Sequence, residues 1–269
     1  MTDRSPLDRE QPVANLAIDP DVLVRELEAE QVGDPLDDIE PDNPEQDALD
    51  AIRQCDEALE WLKQGHEQRL QGLRVFCEHR DPRSVPLLLP LLEEVCPVER
   101  MSAVYALGRN PSPPAVDPLL KLLQNDSNAY VRKATAWSLG NYPDAPILNP
   151  LIRALQTDVA AVRLWASVSL AEAGVTSPAK ADPAAGQLLI SLRIDSESVV
   201  RSNCIWALSC LLDHLVEPRR EEVVEVFVRA LLQDRERSVR DEARTALEQM
   251  ESPDVLDRLQ TLMEEGLLR

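Results

Sequence analysis

A Val-Arg phrase recurs along the chain at a nearly constant interval. It reads VERMSAVYALGRNP from Val98, VRKATAWSLGNYP from Val131, VRLWASVSLAEAG from Val162, VRSNCIWALSCLL from Val200 and VRDEARTALEQM from Val239, with a weaker first copy, QRLQGLRVFCEHRDP, from Gln68. The arginines of successive copies are spaced by 31, 32, 31, 38 and 39 residues, at Arg69, Arg100, Arg132, Arg163, Arg201 and Arg240. A period of this length is typical of a solenoid, whose units bury their apolar faces by stacking.

The other half of each unit also recurs. It reads SVPLLLPLLEE, AVDPLLKLLQND, ILNPLIRALQTD, AAGQLLISLRID, VVEVFVRALLQD and VLDRLQTLMEEG. Pro86, Pro118 and Pro150 share a slot in the opening part, where a proline costs a helix least. Each unit is therefore predicted to be a helix, a short turn and a second helix that opens at Val-Arg. The two longer periods contain VTSPAKADPAAG and CLLDHLVEPRREE, and we expect these extra residues in loops between units.

These residues resemble HEAT repeats, in which Val-Arg is followed by A-x-x-x-L. The form VR-x-x-A-x-x-x-L-G resembles the repeats of cyanobacterial E/F-type phycobilin lyases. The phrases RMSAVYALGRNP, YVRKATAWSLGN, AVRLWAS and VRSNCIWAL are more similar to the HEAT-repeat protein associated with the A-type iron–sulfur carrier IscA. The resemblance covers about residues 66–266. It implies an all-α fold over residues 45–269, a right-handed α-α superhelix of about six helix pairs plus a capping helix.

The same resemblance implies that the recurring arginines and aspartates bridge neighbouring units. This structural ladder consists of Arg100, Asp126, Arg132, Asp158, Arg163, Asp195, Arg201, Asp234 and Arg240. Recurrence in unit after unit favours a stacking role over catalysis for these residues.

The formal charge of −20 is unevenly distributed along the chain. Residues 1–50 contain 16 acidic residues and 3 arginines, a net charge of −13, and residues 51–269 carry the other −7. Residues 1–44 also contain six prolines, so we expect a largely disordered acidic tail there. Nucleic acid is excluded as a partner, because phosphate binding needs a positive surface.

The cysteines and the apolar segments predict a cytoplasmic protein. Five cysteines are few, odd in number and irregularly spaced, as in a protein with reduced thiols; they are Cys55, Cys77, Cys96, Cys204 and Cys210. The first residues, MTDRSPLDREQP, do not resemble a secretion signal. We also expect no membrane insertion, because the sequence contains no run of about 18 apolar residues.

The Val-Arg helices have two distinct faces when each residue turns by about 100° from the arginine, counted as zero. Offset +3 is mostly small and offset +7 is large and apolar, so this face is predicted to pack in the core. Offsets +2, +5 and +9 lie opposite, on the side that lines the concave surface of HEAT proteins. They carry an aromatic strip, Tyr105, Trp137, Trp165 and Trp206, with Arg74, Arg109, Asn141 and Cys210 beside it.

Exposed tryptophan and tyrosine offer large, rigid contact areas, so we predict that this surface is a groove that binds a partner. The alternative is that the strip packs against loops or against the acidic tail. No catalytic residues, cofactor or metal site are predicted. Cys77 and His79 are two residues apart, and Cys204 and Cys210 are six apart, which suits no tight metal site.

Two functions follow from these observations. The first is a non-enzymatic adaptor that binds a protein client in the groove, and the resemblance implies an A-type iron–sulfur carrier as that client. The second is a phycobilin lyase or a lyase-like chaperone that acts on a phycobiliprotein, with a second lyase subunit as a further partner. In that case the reactive cysteine belongs to the acceptor protein, and Arg74 and Arg109 are the nearest cations for bilin propionates.

Overall fold

A computed structural model describes residues 44–250 and 252–268, and side chains from Asp47 onward. The predicted acidic tail therefore lies outside the described residues, apart from Pro44. The chain divides into two units, residues 1–50 and 51–269, and the helical stack belongs to the second. Of the first unit, the described part is the beginning of one helix.

The described residues contain thirteen α-helices and no strand. They are α1 (Pro44–Trp61), α2 (His66–Glu78), α3 (Val85–Leu88), α4 (Pro97–Arg109), α5 (Val116–Asn125), α6 (Ala129–Leu139), α7 (Leu148–Thr157), α8 (Ala160–Gly174), α9 (Pro178–Ile194), α10 (Ser198–Leu211), α11 (Arg219–Gln233), α12 (Arg237–Gln249) and α13 (Pro253–Glu264). Short 3₁₀ turns lie at Pro82–Ser84, Leu89–Glu93, Pro113–Ala115 and Leu212–His214.

The helices alternate between two rows, and we call α1, α3, α5, α7, α9 and α11 the outer helices and α2, α4, α6, α8, α10 and α12 the inner helices. Each inner helix packs extensively against the inner helix of the next unit, whereas successive outer helices touch much less. The inner row is therefore the more closely packed of the two rows. Six pairs followed by α13 confirm the predicted α-α superhelix.

The predicted core face of the inner helices is confirmed. All twelve residues at offsets +3 and +7 are buried; they are Gly72, Phe76, Ala103, Leu107, Thr135, Leu139, Ala166, Leu170, Cys204, Leu208, Ala243 and Leu247. The small residues at +3 let the helices approach, and the large residues at +7 fill the space between the two rows. This arrangement gives one continuous core along the stack.

Glycine allows an especially close approach between α4 and α6. A Cβ atom at Gly108 would lie 2.6 Å from a ring carbon of Trp137 and 2.9 Å from the hydroxyl oxygen of Ser138. The backbone of α4 therefore runs directly beneath the indole. One unit later, the Ser169 hydroxyl donates a hydrogen bond of 2.7 Å to the Ala136 carbonyl. Small residues thus set the tight inner row.

Two predictions about helix extent were wrong. SVPLLLPLLEE was expected to form a helix, but α3 has only four residues and continues as a 3₁₀ turn, because Pro90 supplies no amide hydrogen. The connector VTSPAKADPAAG was expected to be a loop, yet residues from Pro178 onward belong to α9 despite Pro183 inside it. Its alanines favour helix, and this outer helix is lengthened rather than followed by a loop.

None of the helices in the described part of the chain is both long enough and apolar enough to cross a lipid bilayer.

Candidate protein-binding groove

The ladder arginines join each unit to the next. In Arg132, Nε and Nη2 donate to the Asp158 carboxylate over 2.8 and 2.7 Å, while Nη1 donates to the Asp126 carbonyl over 2.8 Å. The same two-pronged contact is made by the pairs Arg100–Asp126, Arg163–Asp195 and Arg201–Asp234. Arg240, the last of the series, donates to the Asp234 carbonyl over 2.7 Å. Four arginines therefore bind both their own turn and the turn of the following unit; they are Arg100, Arg132, Arg163 and Arg201.

The ladder begins one unit earlier than the sequence analysis placed it. Nη1 of Arg69 lies 2.6 Å from Oε1 of Glu94, which occupies the slot of the ladder aspartates, six residues before Arg100. The sequence signal was a glutamate in place of aspartate. The first and second units are thus joined by the same kind of contact, made with a longer side chain.

The arginines lower the pKa of ladder carboxyls. Burial by itself would raise the pKa values of Asp126, Asp158 and Asp234. The hydrogen bonds from the arginines and from backbone amides outweigh burial, and the net result is a pKa below the ordinary value for all three. These aspartates are therefore ionised at neutral pH.

Acidification is expected to destabilise the stack through these carboxylates. In the unfolded chain an aspartate has a pKa of about 3.9, and the folded-state pKa values lie lower. Their contribution is therefore complete above about pH 5 and is lost as pH falls through the folded-state pKa, because the unfolded state binds more protons. Urea midpoints measured from about pH 7 down to pH 3 should fall most steeply below about pH 4.

A pair of variants separates the ladder from the other carboxylates. Asp158→Asn should already be less stable at neutral pH and should lose less on acidification than the unaltered chain. Asp117→Asn, at an exposed position of α5, should follow the unaltered chain throughout. Parallel acid curves for Asp158→Asn and the unaltered chain would contradict the role of the ladder.

The aromatic strip lies along the inner helices, partly buried at one end and exposed at the other. The Tyr105 and Trp137 rings form a tilted pair with centroids 5.3 Å apart. Tyr105 and Trp165 are half-buried and pack against the core, and Trp137 is half-buried above Gly108. Trp206 is 40% exposed. Burial also raises the pKa of Tyr105. The first three rings therefore help to hold neighbouring units together.

A second row of exposed apolar residues lies on the same face, which the sequence analysis missed. Tyr130, at 70% exposure, precedes Trp137 by seven residues, or two helical turns. Exposed Val98 and Val199 stand in the same relation to Tyr105 and Trp206. The signal was present as pairs seven residues apart in α4, α6 and α10. The apolar surface of the groove is thus two turns long on each of these helices.

Polar side chains flank the strip. Arg74 is almost fully exposed and lies 3.7 Å from Glu78, and Arg109 is exposed, with Nε 3.3 Å from the Cys77 carbonyl. Asn141 is exposed as well. Arg74 and Arg109 lie on the successive inner helices α2 and α4.

The thiols near the groove are not activated. Cys210 is exposed, but partial burial and then the charge of Glu172 raise its thiol pKa. Burial raises the pKa of Cys77 to about 11, and Cys204 is fully buried with a raised pKa. These thiols are protonated at neutral pH, which disfavours a thiolate nucleophile at the groove.

Two buried polar side chains that the sequence analysis did not identify join the ends of inner helices. Asn110 accepts from the Asp81 amide over 2.7 Å and donates to the Phe76 carbonyl over 3.2 Å. One unit later the Tyr142 hydroxyl donates to the Leu107 carbonyl over 2.7 Å. Burial raises the pKa of Tyr142 to about 12, so it remains a donor. Asn110 and Tyr142 both lie at offset +10, and each side chain donates to the carbonyl of the residue at offset +7 of the preceding unit.

Comparisons with known proteins agree with this architecture. The family of HEAT repeats matches residues 56–140 and 116–209, which together make up more than half of the chain. The designed armadillo repeat protein YIII(Dq)4CqI is 18% identical with a TM-score of 0.54, covering 71% of this chain and 97% of that chain. The designed armadillo repeat protein YIII(Dq.V1)4CPAF, in complex with the peptide (KR)4, is 20% identical with a TM-score of 0.55, and the coverage is the same.

A natural assembly has a similar fold. In this structure Kap95p binding induces the switch loops of RanGDP to adopt the GTP-bound conformation. The matching chain is 17% identical to this protein with a TM-score of 0.56. The match covers 91% of this chain and 36% of that chain. At these identities the similarity concerns the fold alone. A comparison with curated proteins finds no match.

Proposed function

We propose, because the chain belongs to the HEAT-repeat family, that it is a non-enzymatic adaptor that binds one protein client along its inner helices. The observation that carries this proposal is the double row of partly exposed aromatic and aliphatic side chains on that face. A row of this kind is costly in water unless a partner covers it. Structural neighbours in complex with a peptide and with RanGDP support a protein partner for such a scaffold.

The physical character of the groove suits a protein client. Tyr130 and Trp206 offer rigid, amphipathic surface that loses little conformational entropy on binding. The half-buried Tyr105–Trp137 pair is already fixed by packing, so binding need not order it. Arg74, Arg109 and Asn141 supply polar contacts at the rim. We propose this groove as the binding site and the cytoplasm, where its free cysteines stay reduced, as the location.

For the client we propose an A-type iron–sulfur carrier, on the resemblance of the phrases RMSAVYALGRNP and YVRKATAWSLGN. The protonated thiols of Cys77 and Cys210 imply that the cluster would stay on the carrier rather than pass to the groove.

The second candidate is a phycobilin lyase or a lyase-like chaperone, favoured by Arg109 beside the Tyr105–Trp137 pair. A tetrapyrrole could stack on the rings while its propionates meet Arg109 and Arg74. Mixing the full chain with free bilin tests this candidate. Unchanged visible absorption and unchanged tryptophan fluorescence would remove it.

The adaptor function is tested by measuring the binding of the full chain to a purified A-type carrier. Tyr130→Ala and Trp206→Ala should each weaken binding by roughly 30-fold, the effect of losing about 2 kcal/mol at a hot spot. Both side chains are exposed, so these variants should fold normally.

Ile190→Ala is the matched control, because Ile190 is 47% exposed on the outer helix α9. It should bind the carrier like the unaltered chain. Binding that survives both groove substitutions would contradict the groove. No binding to any A-type carrier, together with groove-dependent binding of a phycobiliprotein, would move the chain to the second candidate.

A further inference from the structure

Three side chains that commonly bind metals meet where the inner helices α2 and α4 begin. His66 is the first residue of α2, Cys96 precedes α4, and Glu99 lies in its first turn. One ligand atom from each lies within 4.8 Å of the other two. Nδ1 of His66 is 3.1 Å from Oε1 of Glu99. Cys96 and Glu99 follow His66 by 30 and 33 residues, about one repeat, so the spacing rules of local metal motifs could not find this group.

The Glu99 carboxylate is buried without a full set of partners. Its side chain is only 3% exposed. Oε1 lies 3.0 Å from Nε of Arg69, yet the two atoms are not aligned for a hydrogen bond, and both count as buried polar atoms without one. A buried carboxylate oxygen is costly unless it is both paired and hydrogen-bonded, and Oε1 has the pairing without the hydrogen bond. Oε1 is also the oxygen that lies closest to the imidazole.

The spacing suits a small tetrahedral ion. Zinc binds histidine nitrogen, carboxylate oxygen and cysteine sulfur at about 2.0 to 2.3 Å, which puts neighbouring ligands roughly 3.3 to 3.6 Å apart. The 3.1 Å between His66 and Glu99 is close to that value. The Cys96 sulfur lies within 4.8 Å of the other two ligand atoms, so it would need to approach by roughly 1.2 Å at most, within the reach of a side-chain rotation. The His66 side chain is 53% exposed, so the fourth coordination position of the ion would face solvent and take a water molecule.

The charges around the group also permit a divalent ion. Within the described residues Arg69 and His66 are the cationic side chains in ion-pair contact with Glu99, and Nη1 of Arg69 is compensated by Glu94 at 2.6 Å. The Glu99 carboxylate and a Cys96 thiolate then remain to neutralise the ion. A thiolate and an imidazole favour zinc over magnesium or calcium, which prefer oxygen ligands alone.

We propose that His66, Cys96 and Glu99 form a zinc site that joins the first unit of the stack to the second. The ion would give Oε1 of Glu99, which has ion-pair contacts but no hydrogen bond, a ligand bond, and it would tie the start of α2 to the start of α4. The site lies between the first two described units of the stack, so the ion would add to the nearest-neighbour contacts that hold a stack together. It does not depend on the groove or its client.

The test is a titration of the full chain, with its thiols reduced, with Zn²⁺ and separately with Co²⁺. The unaltered chain should bind one ion, and cobalt should produce a thiolate-to-metal charge-transfer band. His66→Gln and Cys96→Ser should each weaken binding by at least about 100-fold, since even the loss of an outer-sphere partner costs about 10- to 100-fold. In Cys96→Ser the charge-transfer band should disappear.

Controls use the other candidate ligands. Cys210→Ser and His214→Gln should bind both ions like the unaltered chain. His66 is exposed and Cys96 only partly buried, so both substitutions should leave the fold intact, and circular dichroism checks this. A cobalt band that persists in Cys96→Ser, zinc affinity unchanged in His66→Gln, or no zinc binding by the unaltered chain would each overturn the proposal.

Discussion

Replacing Arg201 by methionine is expected to lower the free energy of unfolding by about 3–5 kcal/mol, the usual cost of removing one partner of a buried ion pair. The Arg201 side chain is 5% exposed and that of Asp234 is 10% exposed, which makes this one of the most enclosed pairs of the ladder. Methionine leaves the Asp234 carboxylate without its two hydrogen bonds of 2.8 and 2.7 Å. It also leaves the Asp195 carbonyl without the donor 2.9 Å away. Urea unfolding followed by circular dichroism measures the loss.

The exposed Arg237 is the matched control. It lies 3.3 Å from Asp241 on α12, and both side chains are largely exposed. Because exposed pairs contribute at most about 1 kcal/mol, Arg237→Met should change the midpoint little. The double variant Arg201→Met/Asp234→Leu should recover part of the loss, since an apolar pair replaces the unpaired charge. An Arg201→Met variant as stable as Arg237→Met would show that stacking is carried by apolar packing alone.

The position of Arg201 in the stack determines which helices the Arg201→Met substitution affects. Arg201 belongs to α10 and Asp234 ends α11, so the pair joins the fifth and sixth units. In a linear stack each unit contacts only its neighbours, and a weak junction uncouples everything beyond it. Amide exchange should therefore accelerate chiefly in α11, α12 and α13 of the variant, while α4 to α8 remain protected.

The fold was predictable from the sequence because its information is repeated. One arginine register placed Ala103, Leu139 and Cys204 in the core, and the same offsets held in six inner helices. A copy that departs from the pattern can still be placed correctly by comparison with the other five copies. The ladder contacts follow from the same register, with Glu94 as a variant that keeps the carboxylate.

Contacts that occur at a single junction of the stack could not be predicted from the repeat pattern. The contact between His66 and Glu99 depends on where two helices start, and within the described residues it occurs at this junction alone. Pro90 shortens one outer helix, and the Ala-rich connector lengthens another, because local propensity decides where the repeat pattern is weakest. The half-burial of Trp137 likewise depends on one glycine, Gly108, in the neighbouring helix.

Offset +10 is an intermediate case. It lies after the last residue of α4 and of α6, which are Arg109 and Leu139, so a helical wheel does not place it. The burial of Asn110 and Tyr142 depends on how the chain turns after each helix. The structure supplies the explanation, because the carbonyls that end α2 need donors and the next inner helix provides one. One unit later the Tyr142 hydroxyl supplies the corresponding donor, to the Leu107 carbonyl.

Asn110→Ala is accordingly expected to destabilise the chain by about 2–4 kcal/mol, since each buried polar group left without a partner costs about 1–3 kcal/mol. The substitution removes the acceptor of the Asp81 amide and the donor to the Phe76 carbonyl, both in buried surroundings. Asn141→Ala, one unit later and exposed, should stay within about 0.5 kcal/mol of the unaltered chain. Urea midpoints give both values, and amide exchange at Asp81 should accelerate in Asn110→Ala alone. Equal midpoints for the two variants would mean that water replaces the asparagine, and that the first two units are held by the ladder and apolar packing without it.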